Sequence, residues 1–251
     1  TRKYVFEYAD GAKVEAVGIP SFDKKERKDE PKHLTVCFST QAGCAMGCTF
    51  CATGHEGLTR NLSSAEMICQ IIAVQNDFSC RVTNLVSMGQ GEPFQNYQAT
   101  LEALRFANAK DGLEIGARHI TVSTCGIIRG IERFTLAVSL HSALQDVRNE
   151  IMPRCSNIPL PHLKKALRSY IEKTGRRVSF EYLLIKGVTD TEENLAALID
   201  FCDGLLCHVN LLSVNEVEGS PYKPSSTATQ QRWVKELKSA GKEATIRNSR
   251  G

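Results

Sequence analysis

The chain has 251 residues, of which 42% are hydrophobic and 24% charged, and a formal net charge of +3. That composition describes an ordinary soluble globule, long enough for one barrel-sized domain. No apolar run in this sequence approaches transmembrane length and no signal peptide is visible, so no membrane-spanning helix is expected within it; the small positive charge permits a nucleic-acid partner without arguing for one.

In chain order, Tyr4–Tyr8 and Val14–Ile19 flank Asp10-Gly11, a strong hairpin signal. Asp23–Lys32 mixes both signs of charge and reads as a solvated loop. Strand-like runs then follow at Leu34–Ser39, Asn84–Met88, His119–Ser123, Leu136–Leu140, Val178–Ile185, Val209–Val214 and Ala244–Arg247. Helical patterns fall between them at Ala65–Val74, Tyr97–Asn108, Leu160–Glu172, Glu192–Phe201 and Thr229–Ala240. Ser63 and Glu66 form a capping-box pattern ahead of the first helix. Strands alternating with helices predict an α/β fold, with parallel strands and the helices outside. Without a dinucleotide fingerprint after the first strand, a barrel or open half-barrel is favoured. One join is too short: Gly130–Phe134 begins like a helix, yet Thr135 opens the next strand, whereas a parallel crossover normally takes a dozen or more residues.

The most informative run is Gly43-Cys44-Ala45-Met46-Gly47-Cys48-Thr49-Phe50-Cys51. Three thiols on one short loop suit a soft-metal site. Iron–sulfur clusters are held by Cys thiolates, normally four, so three ligands leave one iron open to a small molecule. A structural zinc site closes with a fourth Cys or His, and His55 is the only nearby candidate. The open-site cluster is the stronger reading, with zinc as the rival. Cysteines used this way, in a chain without a secretory segment, point to a reducing cytosol. Among the other cysteines, Cys69, Cys202 and Cys207 stand in apolar runs, where a buried free thiol is the usual explanation.

In barrels of this kind, function collects at the carboxyl ends of the strands. Cys44, Cys48 and Cys51 follow the first core strand, Gly89-Gln90-Gly91-Glu92-Pro93 the second, Ser123-Thr124-Cys125-Gly126 the third and Ser139-Leu140-His141-Ser142 the fourth; Asn215 lies just past Val214. Such a convergence is hard to explain by core packing. Individually, each residue has a plainer explanation: Cys37 as an inert buried thiol, Ser123 and Ser139 as helix-capping hydroxyls, His141 as a core histidine, Glu15 as a solvated strand carboxylate.

Together these motifs resemble the radical S-adenosylmethionine (SAM) enzymes, and more closely the RlmN/Cfr family of RNA adenine methyltransferases. The resemblance runs from about Val14 to Gly251. It is carried by Cys37-Phe38-Ser39-Thr40-Gln41-Ala42-Gly43-Cys44, Asn61-Leu62, Gly91-Glu92-Pro93, Ser139-Leu140-His141 and the ending Ile246-Arg247-Asn248-Ser249-Arg250-Gly251. It implies a partial (β/α)6 radical SAM barrel over residues 34–251, with an N-terminal β-hairpin extension over residues 1–33. It also implies a [4Fe-4S] cluster on Cys44, Cys48 and Cys51, whose open iron chelates SAM. Gly91 and Glu92 would hold the methionine amino group and Ser123 the ribose; Ser139, Leu140, His141 and Asn215 would complete the pocket. Cys37 would be a second reactive cysteine that resolves a protein–RNA adduct through a disulfide, and Glu15 a proton acceptor.

The implied substrate is an adenine of 23S rRNA, with tRNA as a further substrate, in a cytoplasmic monomer reduced by a flavodoxin or ferredoxin. Gly91-Glu92-Pro93 and Ser220-Pro221-Tyr222 favour the branch that methylates C2 over the Cfr branch that methylates C8. The basic residues Lys164, Lys165, Arg168, Arg176 and Arg177 read either as a solvated helix face or as phosphate contacts. Three departures stand out. Gln90 takes the place of the family's usual methionine. The family's N-terminal RNA-binding extension is not in the sequence. The methyl-carrying cysteine, expected a few residues beyond Gly251, is not among the ten present. A cluster- and SAM-binding RNA-binding protein without methyl transfer is therefore the rival of another class.

Overall fold

The computed structural model describes residues 1–22, 31–127, 134–215 and 220–247. The charged loop from Asp23, the short join at Gly130 and the ending from Asn248 lie wholly or largely outside the described residues.

The chain opens with β1 (Arg2–Glu7) and β2 (Lys13–Ser21), an antiparallel hairpin. Its turn is built as the Asp-Gly pair requires. The Asp10 side chain accepts the Ala12 amide at 3.1 Å, while Gly11 takes φ of +82°, a region that favours glycine. Next come β3 (His33–Cys37), β4 (Gln41–Gly43), α1 (Ala52–Glu56), β5 (Leu58–Asn61), α2 (Ser64–Phe78), β6 (Val82–Ser87) and α3 (Tyr97–Asn108). The second half holds β7 (Ile120–Thr124), β8 (Thr135–Ser139), α4 (Gln145–Ile151), α5 (Leu160–Thr174), β9 (Val178–Leu184), α6 (Glu192–Cys202), β10 (Cys207–Ser213), α7 (Thr227–Ser239) and β11 (Glu243–Arg247).

Nine of the strands form one sheet, in the order β1-β2-β3-β6-β7-β8-β9-β10-β11. From β3 to β11 every neighbour is parallel, and β2 pairs antiparallel with β3. Every core strand and long helix expected from the pattern is present, with ends shifted by a residue or two, except that α2 runs four residues past the expected Val74. The expectation missed β4, β5, α1 and α4, which are too short to show a period.

The helices cover one face of the sheet. Leu34, Val36, Leu85, Val122, Leu136, Val138, Phe180, Tyr182, Val209 and Leu211 alternate along the strands and are buried in the main core. Each large apolar side chain so buried contributes roughly 1.5–3 kcal/mol. The α2 helix carries the expected capping box and turns Met67, Ile71 and Val74 inward. Its neighbour Cys69, read from the sequence as buried, is exposed, because it falls on the opposite side of the helix.

Candidate functional site

Because the strands from β3 to β11 run parallel, their carboxyl ends share one rim, and the segment Ser39-Thr40-Gln41 after β3 organises it. The Ser39 hydroxyl donates to the Glu15 carbonyl at 2.6 Å and accepts the Gln90 amide at 2.8 Å. The Thr40 amide donates to the Gln90 carbonyl at 2.9 Å. Gln41 accepts the Glu92 amide through Oε1 at 2.8 Å and donates through Nε2 to Asn61 at 2.7 Å. Gly91 itself has φ of +102°, and a Cβ there would stand 2.7 Å from Gln41 Cβ, so only glycine fits.

Glu92 is 3% exposed and points into the rim. Its Oε1 accepts the Phe94 amide at 3.0 Å and its Oε2 the Cys125 amide at 2.8 Å. Burial raises its pKa, and the two amides oppose that rise. A carboxylate tethered in this way suits a cationic amine. Gln90, at the position where the family resemblance expects methionine, works through its backbone, and its side-chain Oε1 is buried without a hydrogen-bond partner. Relieving a buried unpaired oxygen is worth about 1–3 kcal/mol. Gln90→Met is therefore expected to raise the midpoint of thermal unfolding by a few degrees, at roughly 2–4 °C per kcal/mol; differential scanning calorimetry checks this, and a lower midpoint would refute it.

The cysteine loop lies beside this carboxylate. Its Cys44 amide donates to the Gly57 carbonyl at 2.8 Å, and the Thr49 amide to the Ile151 carbonyl, at the end of α4, at 3.0 Å. The Thr49 hydroxyl meets the Tyr222 hydroxyl at 2.9 Å. Phe50 sets its ring edge-on against His141 with centroids 4.8 Å apart, tying the loop to the end of β8. Cys44, Cys48 and Cys51 are all half-buried and unbridged. Burial pushes the Cys48 thiol well up, and the nearby Cys155, Cys51 and Cys44 thiols add to that; Cys44 is raised for the same leading reason.

Beneath the loop, Met46, Cys125, Ile151, Met152 and Cys155 form a small separate core on which Cys44, Cys48 and Phe50 pack. Cys125 and Cys155 share this small core, and their mutual interaction raises the Cys125 thiol and lowers that of Cys155. Arg148, fully buried, donates to the Cys125 carbonyl through Nη2. His141 is 5% exposed and takes φ of +56°. Its Nδ1 accepts the Leu183 amide at 3.2 Å, and burial, with the Arg148 charge beside it, holds its pKa down at about 3. The ring is therefore neutral at physiological pH. Leu140 is fully buried, whereas Asn215 is exposed just past β10.

Strand register decides what else meets here. On β2, Gly18 lies against Val74 and Phe78 of α2, so Glu15 and Val17 occupy the opposite face. Val17 pairs with Cys37, Cys37 with Val86, and Val86 with Thr121, two residues before Ser123. Across the same face Ser123 pairs with Ala137, Ser139 with Glu181, Glu181 with Asn210 and Asn210 with Thr245. Glu15, Cys37, Ser123 and Ser139, expected from the sequence, thus share one face with Glu181 and Asn210, which the sequence reading missed. Asn210 donates to Glu181 at 2.8 Å, and burial raises the Glu181 pKa. Burial likewise pushes Cys37 up to about 11. Glu15 is half-exposed and forms an ion pair with Lys3 at 3.0 Å.

Among the described residues no three His, Cys, Asp or Glu side chains already converge as ligands of one ion. The donor chemistry nevertheless fits an iron–sulfur cluster. The loop anchors three thiols, and burial favours the protonated form of Cys44 and Cys48, a penalty that a cationic iron centre relieves as it displaces their protons. The buried Arg148 beside them supplies a compensating positive charge for bound thiolates. No sequence signal marks Arg148, because an arginine in a helix reads as solvated.

The family model of the radical SAM superfamily matches residues 38–199. A probable dual-specificity RNA methyltransferase RlmN of Clostridium novyi (strain NT) is 40% identical over 259 aligned residues, spanning 100% of this chain and 73% of its own length. Its counterpart in Alkaliphilus oremlandii (strain OhILAs) is 46% identical over 87% of this chain and 66% of its own length. The crystal structure of a radical SAM methyltransferase from Sphaerobacter thermophilus superposes with a TM-score of 0.91 at 42% identity, over 99% of this chain and 73% of that one. SuiB of Streptococcus suis, solved with S-adenosylmethionine, shares only the fold, with a TM-score of 0.63 at 15% identity over 87% of this chain and 52% of that one.

Proposed function

The chain belongs to the radical SAM superfamily, among the RlmN RNA methyltransferases, and we propose that it methylates C2 of an adenine in 23S rRNA, with tRNA as a second substrate. The observation that carries this reading is the shared rim, where the loop of Cys44, Cys48 and Cys51 stands beside the amide-tethered Glu92. Those three thiolates would hold a [4Fe-4S] cluster. A cluster held there would supply one-electron reduction of SAM bound at its open iron.

This chain's own residues bind and orient. Glu92 and the Gly91 backbone receive the methionine amino group; Ser123, Ser139, Leu140, His141 and Asn215 line the rest of the SAM pocket. Neutral His141 adds no charge against the sulfonium. Cys37, with its thiol held protonated by burial, stays inert until it resolves the RNA adduct by forming a disulfide: its sulfur, giving up its proton, bonds to the methyl-carrying cysteine's sulfur as that sulfur's bond to the RNA-bound carbon breaks, and the carbon keeps the electron pair and takes a proton. Its partner there is the methyl-carrying cysteine, which is not among the ten in this sequence. Glu15, across the same sheet face and ion-paired to Lys3, is the proton acceptor. Residues 1–33 form an extension on a core of residues 34–251. The protein works as a cytoplasmic monomer reduced by a flavodoxin or ferredoxin, and among the described residues no helix is long and apolar enough to cross a membrane.

Nucleoside analysis of digested rRNA, from cells with and without the gene, tests this reading. The expected result is 2-methyladenosine that disappears with the gene. If 8-methyladenosine disappears instead, the site belongs to the C8 branch; if neither changes, the chain binds cofactor and RNA without transferring a methyl group.

A further inference from the structure

Arg148, in the middle of α4, is 0% exposed. Its Nη2 is used by the Cys125 carbonyl, but Nε and Nη1 are equally buried and make no hydrogen bond among the described residues. None of the ion pairs among those residues includes it. Buried charges are almost always paired, because a lone buried cation has lost its hydration and gained nothing in return. The surroundings show where the missing partner belongs. Arg148 stands over the small core of Met46, Cys125, Ile151, Met152 and Cys155, on which Cys44 and Cys48 pack. Its charge bears on Cys48, Cys155 and His141. Glu92, which meets the same Cys125 residue, is committed through Oε2 to the Cys125 amide, and no ion pair among the described residues joins it to Arg148.

We propose that Arg148 is an anion receptor for the group bound at the cysteine loop, its free N–H donors facing either the sulfurs of a thiolate-ligated cluster or the carboxylate of SAM. The inference rests on the cluster reading of the loop and goes beyond it. Both candidate anions carry negative charge at the loop, and a guanidinium can donate to either. A cation fixed beside a cluster stabilises its more negative, reduced state and raises its reduction potential; a cation that meets the carboxylate tightens SAM binding instead. Arg148 in this sense binds and tunes the group held at the loop.

The test compares Arg148→Met and Arg148→Lys in the full chain, both metal-free and after anaerobic reconstitution with iron and sulfide. In metal-free protein Arg148→Met removes an uncompensated buried charge, so its thermal midpoint is expected to rise, while that of the loaded protein falls. If the partner is cluster sulfur, the SAM-free cluster becomes at least tenfold harder to reduce, a drop of about 59 mV for a one-electron couple. If the partner is the SAM carboxylate, that potential holds and SAM affinity falls at least tenfold. Arg148→Lys should recover part of either loss. An equal drop in midpoint with and without cluster, with potential and SAM affinity unchanged, would assign Arg148 a packing role and overturn the proposal. So would the same potential shift in Cys155→Ser, which would make the Cys155 thiolate the partner. Wild-type protein that takes up no iron would instead sink the cluster reading, and this inference with it.

Discussion

Cys48→Ser is expected to leave a folded chain that binds no iron–sulfur cluster and performs no methyl transfer. A serine hydroxyl is a hard, weakly acidic donor and does not replace a thiolate on iron. The loop offers only three thiols to begin with, so losing one leaves two, too few to retain a cluster. The fold should tolerate the change. Loop and rim are joined by backbone bonds from Thr49 to Ile151 and from Cys44 to Gly57, and none of these uses the Cys48 side chain. Iron analysis after anaerobic reconstitution, with circular dichroism on the same sample, reads both halves of this expectation. Cys69→Ser is the matched control, because that thiol is exposed on the outer side of α2 and its loss should leave the iron content unchanged. A Cys48→Ser protein that keeps its iron would show that the loop is not the cluster site.

Glu92→Gln is expected to hurt both stability and SAM binding while leaving the iron content intact. Each carboxylate oxygen now accepts a backbone amide, from Phe94 at 3.0 Å and from Cys125 at 2.8 Å. Glutamine keeps the shape but turns one acceptor into a donor, so one buried N–H faces another. An unpaired buried amide costs roughly 1–3 kcal/mol. The substitution also removes the negative charge that receives the methionine ammonium, and a hydrogen bond to a charged group is worth roughly 1.5–3 kcal/mol, about 10- to 150-fold in Kd. Equilibrium dialysis with the reconstituted protein measures the second effect and thermal unfolding the first. Unchanged SAM affinity alongside reduced stability would make Glu92 a structural clasp between β6 and β7 and would move the amine site elsewhere.

The sequence by itself determined the elements and much of the rim. Cys44, Cys48 and Cys51 lie within eight residues of chain, so their association is a local property that spacing can display. The alternation of apolar residues along β3 to β11 likewise follows from a pleated strand with one face buried, and helical periodicity marks the covering layer. These patterns arise within a single segment, and a single sequence is enough to read them.

The tertiary structure alone decided the electrostatics of the site. That Glu15 and Cys37 share a face depends on the pairing of β2 with β3, and the placing of Glu181 and Asn210 beside Ser139 depends on β8, β9 and β10 aligning in register. The Cys125 amide reaches Glu92 across 33 residues of chain, and Arg148 reaches the Cys125 carbonyl across 23. Cys69 and Arg148 show the consequence in opposite directions: a thiol in an apolar run is exposed, and an arginine in a short helix is buried with two nitrogens unpartnered among the described residues. Burial and hydrogen-bond partnership are fixed by which distant segments close over a side chain. Local periodicity carries no record of that, so the three cysteines were legible and the charge set beside them was not.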